Sequence, residues 1–369
     1  MKRIVYLSCR VMVLLMVLIM TTLMISAPAA AAEITITGST TVMPIAESIA
    51  KAYMDQHSKT VISITGGGSG NGIKAIIDGT TDIGNASRFI KEQELAMACG
   101  KGVYPVPFRI AYDCIVPVVH PENPVKDLTI EQLKDIYLGK ITNWAEAGGS
   151  DQPILVVSRD MSSGTYEVWE EKVMKKEAIF PGANLEASNE AVVKAVASKK
   201  GAVGYIGLGY LENSVKSVSV NTIKGSETTT LNGTYPISRP LFMFTKGWPS
   251  GELLNFLNYV LDPAKGQKLV KSSGFVALTS AGTSSQMPAA EIQTGETDDA
   301  SFESLSTIRT VQLYLNALTY DAGPVDGIKG EKTISAVMAF QKDSGLSVDG
   351  QVSGPLMEVL SDQYRKLKK

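Results

Sequence analysis

The chain has 369 residues, of which 44% are hydrophobic and 20% are charged, and its formal net charge is −2. A charge balance so close to zero argues against nucleic acid or an anionic membrane as a bulk partner. The length suits one large or two-lobed domain with a smaller domain beside it.

The first 32 residues have the pattern of a secretory signal peptide. A basic start precedes an almost purely apolar run at 11–25, and an alanine-rich segment follows at 27–32. Because such an ending is what a signal peptidase recognises, we predict cleavage after Ala32 and export of the mature chain. An uncleaved membrane anchor is the alternative, since residues 11–32 could nearly span a bilayer.

Cleavage would change the charge and the cysteine count. It removes three of the 35 basic residues and no acidic residue, so 32 basic and 37 acidic residues remain, a balance of −5. An anion site in such a chain must depend on local geometry. Cys99 and Cys114 are the thiols that follow residue 32. Whether they form a disulfide in an oxidising compartment is left open, and two cysteines without a histidine cluster do not make a metal site.

Residues 33–278 alternate short β-type runs with amphipathic helices. Predicted strands lie at 34–36, 61–64, 82–84, 103–108, 114–119, 154–157 and 237–244, with a break near 111–113. Predicted helices lie at 42–53, 72–77, 91–98, 130–138, 165–176, 188–199, 250–260 and 263–272. This order indicates an α/β fold with a central, mostly parallel sheet.

Two long extended segments flank the second α/β run, at 103–119 and 237–244. We therefore predict a clam-shell of two lobes joined by two extended crossings, with a ligand cleft between the lobes. Lobe 1 would comprise residues 33–111 and 239–278, and lobe 2 residues 112–238.

A linker and a small helical module follow the lobes. Residues 279–304 are rich in Ser, Thr, Ala and Glu, which predicts a flexible linker. Residues 305–369 place apolar side chains at helical spacing and contain two similar turn units, PVDGIKGEKT at 324–333 and SVDGQVSGPL at 347–356. This pattern predicts a small all-α domain with a helix at 333–341 between the turns.

Four stretches place hydroxyl side chains and glycines where a strand ends or a helix begins: TGSTTVMPIAE, GGGSGNGI, IGNASRFI and SRDMSSGTYEVWEE. Hydroxyls and free N–H groups at helix N-termini bind anions, and in open α/β sheets ligands bind at the carboxyl ends of strands. One such start is more often only an N-cap, but four with two arginines favour an anion site. The candidate residues are Ser39, Thr40, Thr41, Ser69, Gly70, Ser87, Arg88, Arg159, Ser163, Gly164 and Thr165. Arg88 is equally consistent with a solvated or salt-bridged residue.

Other kinds of site fit these stretches poorly. GNGIKA matches a loose dinucleotide pattern, but no acidic residue closes the next strand and no Gly-Lys-Ser/Thr follows the glycines. His57 and His120 are the two histidines of the chain, and neither has a nucleophile at motif spacing. We therefore expect no enzyme activity, no cofactor and no metal.

Five segments together closely resemble the phosphate-binding proteins of bacterial ABC importers: GSTTVMPIAE, GGGSGNGIKAIIDGTTDIGNASR, LTIEQLKDIYLGKITNW, SRDMSSGTYEVW and GAVGYIGLGYL. The resemblance covers residues 33–278. It implies a type II periplasmic-binding-protein fold that closes on inorganic phosphate and delivers it to a membrane permease. It also implies ligand contacts from the turn at 39–41, from Ser69 and Gly70, and from the Arg-x-x-x-Ser-Gly-Thr run at 159–165.

One departure from the family concerns selectivity. Many members carry Asp where this chain has Ser87, and that carboxylate accepts the proton of hydrogen phosphate and thereby rejects sulfate. Members with the Ser-Arg variant are also taken to bind phosphate. Selectivity is therefore left open, and another tetrahedral oxyanion such as sulfate or molybdate is the alternative ligand.

Residues 305–361 resemble a three-helix peptidoglycan-binding domain, through IRTVQLYLNALTYDAGPVDGIKGEKTISAVMAFQKDSGLSVDG. This implies a tether that holds the lobes at the cell wall near the permease, in the periplasm or at the wall. The alternatives are a domain that keeps the fold without wall affinity, and a wall-associated structural or sensing protein.

Overall fold

The computed structural model describes residues 32–278 except 104, and residues 305–367 except 325 and 326. The predicted signal peptide, apart from its last residue, and the predicted linker at 279–304 lie outside the described residues. Among the residues that are described, no helix combines the length and the apolar character needed to cross a membrane.

The two lobes are built from alternating strands and helices. The strands are β1 (Ala32–Gly38), β2 (Thr60–Thr65), β3 (Ile83–Ala86), β4 (Val106–Val119), β5 (Asp127–Leu128), β6 (Leu155–Arg159), β7 (Asn184–Glu186), β8 (Ala202–Gly207), β9 (Lys216–Ser217), β10 (Ser219–Val220) and β11 (Ser238–Thr245). The helices are α1 (Met43–Gln56), α2 (Ser69–Asp78), α3 (Glu92–Gly100), α4 (Ile130–Tyr137), α5 (Gly164–Lys172), α6 (Asn189–Ala197), α7 (Glu227–Leu231), α8 (Glu252–Leu261) and α9 (Gly266–Ser272).

One sheet runs through both lobes in the order β2-β1-β3-β11-β4-β8-β6-β7. β1 pairs in parallel with β2 and β3, and β6 pairs in parallel with β7 and β8. β11 is antiparallel to β3 and β4, and β4 is antiparallel to β8. The two parallel groups therefore run in opposite directions, so that their carboxyl ends face each other across the boundary between the lobes.

Strand β4 is the crossing from lobe 1 to lobe 2. Residues 106–114 pair with β11 and residues 115–119 pair with β8, within one element of 14 residues. The predicted break near 111–113 is therefore wrong. Asp113 lies inside the continuous strand, and its side chain is fully buried.

Each lobe has its own hydrophobic core. Lobe 1 packs α1 and α8 on one face of its sheet and α2 on the other. The core of lobe 2 contains Trp169 and Tyr205, whose rings stack with centroids 4.2 Å apart. The prediction of a two-lobed α/β fold is confirmed.

A small all-helical domain follows, as predicted. Its helices are α10 (Leu305–Ala317), α11 (Glu331–Asp343) and α12 (Gly354–Leu367), which pack around Val311, Val337 and Phe340.

Two glutamines make equivalent contacts at Gly327 and at Gly350, the glycines of the two repeated sequence units. The Oε1 of Gln312 accepts from the N–H of Gly327 at 2.9 Å, and its Nε2 donates to the carbonyl of Ile328. In the second turn, the Oε1 of Gln341 accepts from the N–H of Gly350 at 2.9 Å, and its Nε2 donates to the next residue's carbonyl. Each helix thus holds one turn through a buried amide, since buried backbone groups need partners.

The small domain lies against lobe 1. Trp248 packs against the core of lobe 1 and against the core of the helical domain. A cavity of about 540 Å³ lies between them, lined on the lobe 1 side by Phe108 and Tyr112 and on the other side by Pro355 and Glu358.

Candidate functional site

The predicted binding residues lie where the two lobes touch. They follow β1, β3 and β6 or begin α2 and α5, at the strand ends that face each other. Every one of the side chains is buried, with exposed fractions of 0–8%. The Oγ1 atoms of Thr41 and Thr165 are 3.1 Å apart, and so lobes 1 and 2 meet at this point. The N–H of Gly70 also donates to the carbonyl of Ser162 at 3.1 Å.

Helix starts supply donors to this cluster. Ser163 caps α5, because its Oγ accepts from the N–H groups of Thr165 and Tyr166. Helix α2 begins at Ser69, inside the glycine run and three residues before the predicted start, and it has no side-chain cap. Since the first N–H groups of a helix have no partner within the helix, the start of α2 can offer donors to an anion, although the N–H of Gly70 already bonds to Ser162.

Two glycines allow the lobes to approach. A Cβ on Gly164 would lie 2.7 Å from the Oγ of Ser87, and a Cβ on Gly68 would lie 2.6 Å from the Oγ of Ser162. Gly68 also has a φ of +96°, which side chains rarely adopt. Both contacts join residues of different lobes, so the glycines are needed when the lobes are together.

Arg159 is buried, and its hydrogen bonds among the described residues go to backbone carbonyls rather than to a carboxylate. Its Nε donates to the carbonyl of Glu186 at 3.0 Å and its Nη2 to that of Ala187 at 2.9 Å. The Asp160 carboxylate is 3.9 Å from Nη2. Nη1 is buried with no hydrogen-bond partner in the part of the chain that the structure describes. Burial lowers the pKa of Arg159, and the charge of Asp160 opposes this only in part. An arginine side chain nevertheless stays protonated in proteins, so Nη1 is a charged donor without a partner among the described residues.

Arg88 has a different environment. It bonds to both carboxylate oxygens of Glu94, at 2.7 and 2.8 Å. Its Nε is also 2.7 Å from the carboxylate of Glu167 on α5, although the angle is not that of a hydrogen bond. Burial acts to lower the pKa of Arg88, but the bonds and charges of the two glutamates outweigh it and the net shift is upward. Arg88 thus joins the lobes, and its contact with a ligand stays a prediction.

Sequence reasoning missed a second buried ion pair, between Arg239 on β11 and Asp113 on β4. Nε and Nη2 of Arg239 donate to Oδ2 of Asp113 at 3.1 and 2.8 Å, and both side chains are almost fully buried. Burial raises the pKa of Asp113 and lowers that of Arg239, while their mutual attraction opposes both shifts. The two residues face each other across paired strands. The available signal was one acidic residue in β4 and one arginine in β11, but β4 also contains Arg109, so the pattern did not single out this pair.

Arg239 reaches from this pair to the predicted binding residues. Its Nη1 donates to the Oγ of Ser87 at 3.2 Å, and its Nη2 donates to the Oγ1 of Thr41 at 3.3 Å. Asn189, at the start of α6, also donates to the Oγ1 of Thr41, at 3.0 Å. Asn189 was also missed, because nothing in the sequence around it separates it from an ordinary helix start.

Metal ligands and thiols are the other reactive groups to consider at the site. The described residues contain no group of three or more His, Cys, Asp or Glu that could hold a metal ion. Cys114 is a free, buried thiol. The arrangement can therefore offer a small anion hydroxyls, N–H groups and the guanidinium of Arg159, whose Nη1 has no hydrogen-bond partner among the described residues.

Comparison with known families and relatives agrees with this geometry. A PBP superfamily domain model matches residues 26–264, and a peptidoglycan binding domain model matches residues 304–360. The phosphate-binding protein PstS of Bacillus subtilis is 32% identical over 251 residues, which cover 68% of this chain and 82% of the relative. A PstS of Staphylococcus epidermidis is 36% identical, covering 65% and 77%.

Two solved structures are similar as well. A phosphate ABC transporter substrate-binding protein with bound phosphate from Clostridium perfringens is 36% identical with a TM-score of 0.63, and the match covers 67% of this chain and all of that one. An ABC-type phosphate transport receptor from Vibrio cholerae is 33% identical with a TM-score of 0.55, covering 66% and 99%. The chain therefore belongs to the PBP superfamily and, within it, to the family of the phosphate-binding protein PstS.

Proposed function

We propose that this chain captures inorganic phosphate in the cleft between its lobes and delivers it to the membrane permease of an ABC importer. The observation that carries the proposal is that buried donors from both lobes meet at the lobe boundary, and that the buried Arg159 at the end of β6 has an Nη1 without a partner among the described residues. A dehydrated anion needs hydrogen bonds and a compensating charge, and this cluster offers both. The relatives are named as phosphate-binding proteins, and we infer that this chain is likewise a binding protein without enzyme activity.

The ligand contacts are part of the proposal. The proposed phosphate-binding residues are Ser39, Thr40, Thr41, Ser69, Gly70, Ser87, Arg88, Arg159, Ser163, Gly164 and Thr165. Their burial at the lobe boundary supports this set. Arg88 is the least supported member, because two carboxylates already balance its charge.

The location follows from the two matched domains. The PstS relatives and the C-terminal domain support an exported protein associated with the cell wall. We propose cleavage of residues 1–32, a linker at 279–304 and wall attachment through residues 305–361. The division into lobe 1 (33–111 and 239–278) and lobe 2 (112–238) is likewise proposed, supported by the two separate cores.

Titration calorimetry tests the ligand. Residues 33–369, stripped of bound anion, would be titrated with phosphate and then with sulfate at neutral pH. We expect tight phosphate binding that excess sulfate does not displace. Equal binding of both anions would favour the alternative of a general tetrahedral-oxyanion binder, which Ser87 in place of a proton-accepting Asp makes worth testing. No heat from either anion with a folded chain would contradict the proposal.

A further inference from the structure

We propose that Arg239, held by Asp113, acts with Asn189 to fix the direction of the hydrogen bonds around Thr41, so that the hydroxyl proton of Thr165 is free to bond to the anion. Arg239 and Asn189 are then positioning residues of the binding site. This inference rests on the proposed phosphate site, and it adds residues that were outside the predicted set.

The orientation of Asn189 is settled by a backbone group. The N–H of Gly207 lies 3.2 Å from the Oδ1 of Asn189, and a backbone N–H can only donate. The oxygen of the amide must therefore face Gly207. The Nδ2 group consequently faces Thr41 and donates to its Oγ1.

This leaves Thr41 with one role for its hydroxyl. A hydroxyl oxygen has two lone pairs and one proton. Arg239 and Asn189 occupy both lone pairs of Thr41, since each of them can only donate there. In the 3.1 Å contact with Thr165, Thr41 must then be the donor and Thr165 the acceptor. The hydroxyl proton of Thr165 is thereby left for the anion. Thr41, whose hydroxyl proton goes to Thr165, then assists binding through Thr165 rather than by donating to the anion from its own hydroxyl.

Ser87 and Ser69 form a similar chain. The Oγ of Ser87 accepts from Arg239, and the Oγ of Ser69 accepts from the N–H of Ser87 at 2.9 Å. The two hydroxyls have two protons, and the 3.2 Å contact between them uses one. The other proton is not used within the pair, so one of the two hydroxyls keeps a donor for another partner.

The ion pair keeps Arg239 in place for this task. Asp113 fixes two of its nitrogens, and the second carboxylate oxygen accepts from the N–H of Leu208 in lobe 2 at 2.9 Å. The pair carries no net charge. Its effect on anion binding should therefore come through the hydroxyls that Arg239 touches rather than through added positive charge.

The test is a neutral replacement of the pair, Asp113→Asn with Arg239→Met, titrated with inorganic phosphate by calorimetry. Methionine fills the space but cannot donate to Thr41 or Ser87, and asparagine can still accept from Leu208. We expect phosphate affinity to fall about tenfold or more. Met243→Ala, on the same strand with a fully buried side chain, is the control for general loosening of β11, and it should leave affinity within about twofold.

A double-mutant cycle separates orientation from structural support. Thr165→Val removes the proposed donor and should cost about tenfold in affinity in the natural chain. In the Asp113→Asn/Arg239→Met background it should cost less than about threefold, because Thr165 is no longer forced to donate. A merely structural role of the pair would leave the cost of Thr165→Val unchanged.

Circular dichroism would first establish that each variant is folded. If the double replacement does not fold, Arg239→Lys replaces it, because one ammonium cannot serve Asp113, Thr41 and Ser87 together and should lower affinity at least about threefold. Wild-type affinity in the folded variant, or an equal cost of Thr165→Val in both backgrounds, would overturn the inference while phosphate binding stands. Absence of phosphate binding by the natural chain would overturn the proposed function, and the inference with it.

Discussion

The hinge, by which we mean the paired strands β4 and β11 at the crossing between the lobes, contains the buried Arg239, and lobe 2 contains the buried Arg159. The charges of these two arginines are balanced differently. Arg239 bonds to the carboxylate of Asp113, whereas Arg159 bonds to two backbone carbonyls and keeps one nitrogen without a partner among the described residues. An arginine paired with a carboxylate attracts an anion only weakly, because the pair has no net charge. An arginine bonded only to backbone carbonyls keeps a net positive charge that can attract an anion. The comparison indicates that one arginine organises the fold and the other supplies the charge.

Asp113→Ala should have the largest effect on stability. It leaves the guanidinium of Arg239 buried without its carboxylate, and breaking a buried pair in this way costs about 3–5 kcal/mol of unfolding free energy. Urea denaturation of the ligand-free protein would measure the loss. Asp78→Ala, which breaks exposed ion pairs with Lys74 and Lys101, should leave stability nearly unchanged. Equal stability of the two variants would contradict the role assigned to the hinge pair.

Arg159→Ala should mainly abolish binding. Removing the charged partner of a buried anion costs about 3 kcal/mol, or roughly a hundredfold in affinity. Calorimetry with phosphate measures this, and the ligand-free protein should lose less stability than Asp113→Ala does. Lys199→Ala removes the same charge from an exposed site in lobe 2 and should bind as the natural chain does. If both variants bind alike, Arg159 is not the charge partner.

Gly164→Ala should lower phosphate affinity by an intermediate amount, because it disturbs only the state in which the lobes touch. The added methyl would meet Ser69 and Ser87 of the opposite lobe. We expect affinity to fall about tenfold, near 1.4 kcal/mol, with little change in ligand-free stability. Gly100→Ala, where a methyl meets no atom within 4 Å, is the matched control. Unchanged affinity in Gly164→Ala would show that binding does not need this approach of the lobes.

The smallest effect is expected for alkylation of the Cys114 thiol, which follows Asp113 in the chain. Burial, and then the charge of Asp113, raise the pKa of the Cys114 thiol to about 12. Since the thiolate is the reactive form and is only a very small fraction of a thiol with so high a pKa at pH 8–9, Cys114 should resist iodoacetamide at that pH in the native protein and react after unfolding. Peptide mass spectrometry would follow the modification. Rapid native alkylation would mean that the hinge opens to solvent.

Local patterns predicted much of this molecule. Short apolar runs and amphipathic helices gave the α/β order, and the Ser163-Gly164-Thr165 start was recognisable because helix caps are encoded by adjacent residues. The Arg239–Asp113 pair was not recognisable, because strand register joins two residues that are 126 positions apart. The continuity of β4 was also missed, because its pairing with β11 and then with β8 is not visible in the local sequence. A charged residue in an apolar run looks like a strand end until its partner is known.

The position of the helical domain has a mechanical consequence. It packs on lobe 1 through Trp248, and the chain that leads to it also departs from lobe 1, after residue 278. With the domain held by the wall, lobe 1 would be the stationary half of the hinge and lobe 2 the half that swings. The anchored protein would then present a fixed face and a moving face to its surroundings, and a permease could distinguish the loaded from the empty protein by the moving face alone.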